Sequence, residues 1–366
     1  MPNIMDYLAW RGDLPLSASP WNDVDSLIMA CMCYADLPAA AQGTLTWQQA
    51  ALSVPAGQEI STDFIRQCYV LLERAAEHPR FADVTLHSFV NEVDPERDIQ
   101  FSAVTADLAD GTRFVAFRGT DHSIVGWRED FTMAFESPVP AQTAALNYLE
   151  SAAGAGKPLR IGGHSKGGNL ACYAAAHVSE GTRALIHSVY SFDGPGLDDA
   201  TIVSDGYARI RGRIHSYIPQ SSVVGLLLAY HEDYTVVRAN AIGLAQHDAF
   251  TWQVLGTNFV EVDEVDRASQ VVDQTVHAWL TQVSHDQRRV FIDALFDILE
   301  ATNATTFKDL TRDPRRSIAA IIQATRSTDP EVLRMIAQLI GRFLKTGAAT
   351  LFDTLTGRVE PSSQEE

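Results

Sequence analysis

Apolar positions near the start of the chain recur at intervals of three and four. Leu27, Ile28, Cys31 and Met32 form one such stripe, and Asn22 or Asp23 stands before it as a cap, so a helix is predicted there. Residues 61–76 predict a second helix. From about residue 100 the pattern changes to short apolar runs. Phe101–Asp107 and Thr112–Phe117 read as strands, and Asp110-Gly111 between them can supply the positive φ angles of a hairpin turn. Leu159–Gly162 predicts a strand, Gly168–His177 a helix and Ala184–Phe192 another strand. Arg213–Ile218 and Tyr234–Arg238 complete the series. Strands alternating with helices predict an α/β fold with a mostly parallel sheet flanked by helices.

Beyond residue 260 the spacing is helical again. Val290, Phe291, Ala294, Leu295, Ile298 and Leu299 share one face. Thr328-Asp-Pro-Glu331 is a capping box with proline in its first turn, and Val332, Leu333, Met335, Ile336, Leu339, Ile340 and Phe343 follow as a broad stripe. The expected organisation is a core domain over 1–260 with an N-terminal helical segment, then a helical extension over 261–356. A polar tail over 357–366 is expected to be disordered. The extension would either cover a sheet face or form a dimer interface.

Composition narrows the partners. A net charge of -18 repels nucleic acid and disfavours anionic membrane surfaces. No apolar run reaches the roughly 18 residues of a spanning helix, so stable membrane insertion is not expected. Cys31, Cys33, Cys68 and Cys172 lack metal-site spacing and read as free buried thiols in a reducing compartment. The N-terminus lacks the basic and apolar regions of a secretory signal, and a cytoplasmic location is expected.

The strongest chemical signal is Gly163-His164-Ser165-Lys166-Gly167, a G-x-S-x-G match preceded by a predicted strand and followed by a predicted helix. A serine on so tight a turn protrudes only if small flanking residues let the two backbones approach. Its hydroxyl is then exposed as a nucleophile, and the helix N-terminus offers positive potential to a developing oxyanion. One oxyanion N–H is expected from Lys166, the residue after the nucleophile. Upstream, a strand ends at Arg118-Gly119, which puts Thr120 in place for the second.

Phe117-Arg-Gly-Thr120, Trp127-x-x-Asp130 and Gly163-His-Ser-x-Gly-Gly168 together resemble the class 3, fungal-type lipase family. A closer resemblance is to the Mbeg1-like branch of that superfamily. It rests on Met5-Asp-Tyr-Leu-Ala-Trp-Arg-Gly-Asp13, Asn22-Asp-Val-Asp25 and Gly163-His-Ser-Lys-Gly-Gly168. Phe192-Asp-Gly-Pro-Gly-Leu197, Ile218-Pro-Gln-Ser-Ser222 and Gln246-His-Asp-Ala-Phe-Thr-Trp252 complete it. The resemblance covers roughly residues 5–255. It implies an α/β-hydrolase fold, Ser165 as nucleophile and Thr120 at the oxyanion. It also implies that Asp121–Phe135 forms a lid with Trp127 as its apolar element, although ordinary packing of Trp127 on the sheet is an equal alternative.

Two departures stand out. Lys166 replaces the apolar residue that usually follows the serine; its side chain is expected to point away from the oxyanion, although a cation there could favour an anionic acyl or head group. Where class 3 lipases place an aspartate, after the strand Arg213–Ile218, this chain has Gln220-Ser221-Ser222. The acid must come from elsewhere. Asp193 ends the neighbouring strand, close enough to reach the same histidine. Its alternatives are an Asp-Gly turn residue, or a Ser–His dyad assisted by Ser222. The base is expected after the last strand, which selects His247 over His231, and His164 is expected to face away from the serine.

The expected protein is a serine hydrolase acting on a small-molecule or lipid ester through Ser165, His247 and Asp193, with no metal or organic cofactor. Two rival readings are a catalytically silent hydrolase-fold binding protein, motivated by the missing carboxylate, and an acyltransferase.

Overall fold

A computed structural model describes residues 2–54, 62–97, 99–120, 128–130, 132–133, 136–222, 224–226, 234–266 and scattered positions from 269 to 334. The capping box at Thr328, the tail, residues 121–127 of the expected lid with Trp127 among them, and His231 lie outside the described residues. So does most of the C-terminal extension.

Among the described residues the main sheet has nine strands. The first eight are β1 (Leu45–Thr46), β2 (Thr85–Asp94), β3 (Ile99–Asp107), β4 (Arg113–Phe117), β5 (Leu159–His164), β6 (Ile186–Phe192), β7 (Ile214–Pro219) and β8 (Tyr234–Val237), in spatial as well as chain order. A short hairpin, β9 (Val254–Leu255) with β10 (Asn258–Phe259), stands apart, and β11 (Glu261–Val262), the ninth strand of the main sheet, pairs antiparallel with β8. Strands β4 to β8 run parallel, and β1 to β4 form an antiparallel meander. This is the mixed, mostly parallel sheet of an α/β-hydrolase.

Side chains alternate across the strands, so each face collects its own core. Phe114 and Ala116 of β4 join one cluster, and Val115 and Phe117 join the other. The first cluster is closed by helices α1 (Ile4–Arg11), α2 (Asp23–Met32) and α3 (Asp63–Ala75). The second is closed by α4 (Pro140–Ala153), α5 (Lys166–His177) and α6 (Asp205–Ile210). The N-terminal helices are therefore one of the two layers that bury the sheet, not an appendage to it.

Local rules account for most boundaries. Asn22 caps α2, accepting from the N–H groups of Val24 and Asp25, while the Asp25 carboxylate accepts from the Asn22 N–H at 3.0 Å. In the β3–β4 turn only Gly111 takes a positive φ, at 84°, so Asp110 does not need the left-handed conformation expected of it. The strand β2 went unpredicted. Its register slips between His87 and Val90, where Ser88 sits at φ 55°, and this bulge breaks the alternation of period two that marks a strand. Helix α5 begins at Lys166, two residues before its expected start, β7 is shifted by one residue, and β8 ends one residue early.

The motifs Met5–Asp13 and Asn22–Asp25 meet at Arg80. Its guanidinium binds Asp25 through Nε at 2.6 Å and through Nη2, and donates to the carbonyls of Leu14, Ser19 and Pro20. Tyr7 donates to the same carboxylate at 2.9 Å. Both members of the Arg80–Asp25 pair are fully buried. The ion pair thus stitches α1, α2 and the segment after α3 into one layer. On the other side Arg128 pairs with Asp293 at 2.9 Å and Arg289 with Glu136 at 3.0 Å, so these two positions of the expected extension contact residues before the sheet's fifth strand.

Arg80→Met removes the guanidinium and leaves Asp25 buried without its counter-charge. We expect a loss of about 3–5 kcal/mol in unfolding free energy, read from the urea midpoint.

Candidate active site

The elbow is built by contact between backbones. A Cβ on Gly163 would lie 2.3 Å from the Gly167 carbonyl carbon, and one on Gly167 would lie 2.1 Å from the Phe117 oxygen. No side chain fits at either position. Ser165, between them, adopts φ 58° and ψ -135°, a region that costs a non-glycine residue of order 1–3 kcal/mol. Its N–H is bonded to the Phe192 carbonyl at 2.9 Å, which fixes the turn to β6. The loop after β4 closes on the same point. A Cβ on Gly119 would sit 2.9 Å from the Ser165 Cβ, so the backbone leading into Thr120 lies against the serine.

His247 and Asp193 meet. The Nδ1 of His247 is 2.6 Å from Asp193 Oδ2. A carboxylate only accepts, so Nδ1 carries the proton, and in the neutral ring Nε2 keeps the lone pair a base needs. Asp193 is itself saturated. Oδ1 accepts from the Ser222 hydroxyl at 2.5 Å and from the Gly225 N–H at 3.1 Å. Its backbone is left-handed, φ 48°, a conformation that aspartate tolerates better than most residues. The position after β7, where the resemblance to class 3 lipases implies an acid, holds Ser222, which donates to the carboxylate arriving from β6. Ser222 and Asp193, weighed separately from the sequence, are thus bonded to each other in one assembly.

His247 is held from behind. His164 donates from Nε2 to the His247 carbonyl at 2.7 Å, and the two rings stand 4.7 Å apart. With Nε2 as donor, the neutral ring presents Nδ1 to Tyr34, whose hydroxyl is 3.2 Å away. Burial pushes the Tyr34 phenol well above its ordinary range, so it stays protonated as a donor. Gln246 accepts from the Ser221 N–H at 2.8 Å and, through its carbonyl, from the Trp252 indole at 2.8 Å. These supporting roles of His164, Gln246 and Trp252 were not assigned from the sequence. The His164 contact joins positions 83 residues apart and the Gln246–Ser221 contact positions 25 apart, separations that no local spacing announces.

Lys166 corrects one expectation. Its ammonium does not face a ligand. It is buried and bonded to the Gln100 carbonyl at 3.0 Å, the Gln100 Oε1 at 3.1 Å and Glu129 Oε2 at 2.9 Å, with Asp130 Oδ1 at 3.7 Å. A cation neutralised in this way cannot select an anionic substrate. Thr120 is buried, and its hydroxyl donates to Asp130 Oδ2. Among the described residues no cluster of His, Cys, Asp or Glu is arranged to hold a metal ion, and no helix is long and apolar enough to cross a membrane. All four cysteines are free and buried.

Residues 75–297, more than half of the chain, match the family model for Mbeg1-like proteins. The chain belongs to the Mbeg1-like family. The matched range begins after the Met5–Asp13 and Asn22–Asp25 motifs and takes in the elbow and the loops of Asp193, Ser222 and His247. No functionally curated protein matches the chain. Among solved structures, the crystal structure of M37 lipase is similar over 55% of this chain and 69% of its own, with 16% identity and a TM-score of 0.34.

In this Mbeg1-like chain the Asp130 carboxyl is pushed up to about 6. Burial is the main cause and Glu129 adds to it, while Lys166, the Thr120 hydroxyl and His247 oppose it. Folded Asp130 therefore keeps its proton to higher pH than the unfolded chain does. Its contribution to stability is fully present below about pH 4 and is lost as pH rises towards 6. Relative to Asp130→Asn, wild type should lose stability on the order of 3 kcal/mol across that window. Urea unfolding of both proteins at a series of pH values measures it.

Proposed function

We propose that this protein is a serine hydrolase that cleaves carboxylic esters through an acyl-enzyme on Ser165. The observation that carries the reading is the 2.6 Å contact between His247 Nδ1 and the buried Asp193 carboxylate. It leaves Nε2 as the basic nitrogen of a histidine whose backbone is tied to His164, the residue before the strained Ser165.

In this reading His247 Nε2 takes the Ser165 proton as Oγ attacks the ester carbonyl carbon. The carbonyl π pair moves to oxygen, and the N–H groups of Thr120 and Lys166 stabilise the resulting oxyanion. As the pair returns, the bond to the alkoxy oxygen breaks and the Nε2 proton passes to that oxygen. Water, deprotonated by the same nitrogen, then attacks the acyl carbon. Its proton is returned to Ser165 Oγ as the acyl–serine bond breaks, and a carboxylic acid leaves. Asp193 holds the tautomer and balances the imidazolium charge, with Ser222 and Gly225 fixing its own orientation. The substrate is a small-molecule or lipid ester, and no cofactor takes part. The carboxylate at His247 removes the motive for a catalytically silent fold, which was its absence after β7.

A fluorophosphonate probe tests the proposal. Wild type should label, Ser165→Ala should not, and His247→Ala should label at a strongly reduced rate. Asp193→Asn should lower ester turnover by about 10⁴-fold, the effect of losing the tautomer in a related geometry. Absence of labelling in a folded wild type, with detergent present as well as without it, would defeat the hydrolase reading.

A further inference from the structure

The residue after the nucleophile spends its charge in an unusual place. Lys166 supplies a backbone N–H at the head of α5, yet its side chain runs back to β3 and to the short helical stretch that includes Glu129 and Asp130. Three donors on the ammonium meet three acceptors, two on Gln100 and one on Glu129. Glu129 is in turn fixed by the N–H groups of Gln100 at 3.3 Å and Ala141 at 2.9 Å, so it joins β3 to the start of α4. Asp130, 3.7 Å from the same ammonium, accepts from the Thr120 hydroxyl.

A purely structural account of this ammonium is weak. Taking both members of an ion pair out of water costs about as much as their attraction returns, and an apolar side chain of the same length would fill the space equally well. What an ammonium does that a methyl group cannot is set direction. It fixes the Glu129 carboxylate by a hydrogen bond and attracts the adjacent Asp130 carboxylate across 3.7 Å, and Asp130 accepts from the Thr120 hydroxyl. We propose that the Lys166 side chain is a positioning residue for the oxyanion site, locking the serine elbow to the separate segment that orients Thr120. Its own N–H and that of Thr120 are the two donors of the proposed hydrolase, so one residue sets both sides of the oxyanion pocket. The inference rests on the hydrolase reading.

The test uses the full chain with Lys166→Met and with Lys166→Met/Glu129→Gln. The single variant leaves Glu129 buried without its counter-charge and should unfold at a clearly lower temperature. The double variant removes that burden and should unfold near the wild-type temperature. Fluorophosphonate labelling and p-nitrophenyl butyrate hydrolysis are then compared with wild type. The proposal expects the double variant to label about 10–100-fold more slowly, with kcat down by a similar factor and KM within about twofold. A merely structural lysine would leave kcat unchanged once the fold is restored. A stable double variant with wild-type labelling and kcat, or a change confined to KM, overturns the positioning role while leaving the hydrolase reading intact. A folded wild type that neither labels nor hydrolyses ester overturns the hydrolase reading and this inference with it.

Discussion

The Phe117 carbonyl oxygen lies where a side chain on Gly167 would begin. That contact is the constraint on which the site depends. It brings the end of β4 against the first turn of α5, and the turn between β5 and α5 has no room except for glycine at both flanks. Ser165 is then driven into a left-handed conformation that it would not choose alone. Because β4 ends at this point, the loop after it meets the serine at Gly119, and Thr120 arrives beside the elbow. Packing of the sheet on both faces supplies the free energy that holds a strained residue in place.

Asp193 illustrates how neighbouring strand ends converge on one point. Parallel neighbours lie about 4.8 Å apart, so the ends of β6 and β7 address the same histidine. A carboxylate from the end of β6 and a hydroxyl from beyond β7 converge there, and Ser222 shares the Asp193 carboxylate with His247. The acid is fully enclosed, with three donors on its two oxygens. An enclosed carboxylate saturated in this way has a fixed direction, which is what a histidine tautomer requires.

Two buried ion networks organise the layers around this centre. Arg80 and Asp25 gather the N-terminal helices on one face. Lys166 and Glu129 tie the elbow to β3 and α4 on the other. Neither is exposed, and screening by salt does not reach them as it would a surface pair. The N-terminal layer also takes part in the site: Tyr34, at the end of α2, holds the ring of His164, which holds His247.

Several features were determined by the sequence alone. The helix α2 followed from Asn22 and the stripe Leu27–Met32, because capping and helical periodicity are local. The elbow followed from five residues with a strand before and a helix after. Chain order pointed to His247, and the end of β6 to Asp193. The strand β2 was hidden because its bulge at Ser88 breaks the period on which strand reading depends. Tertiary structure alone decided the rest. Whether Lys166 would face a ligand or an internal carboxylate depended on where Glu129 and Asp130, 37 and 36 residues upstream, are brought in space. Whether Ser222 would replace the acid or support it depended on the register of β6 and β7. Local propensity is set by a residue and its near neighbours, whereas the partner of a buried charge is set by which distant strands pack together.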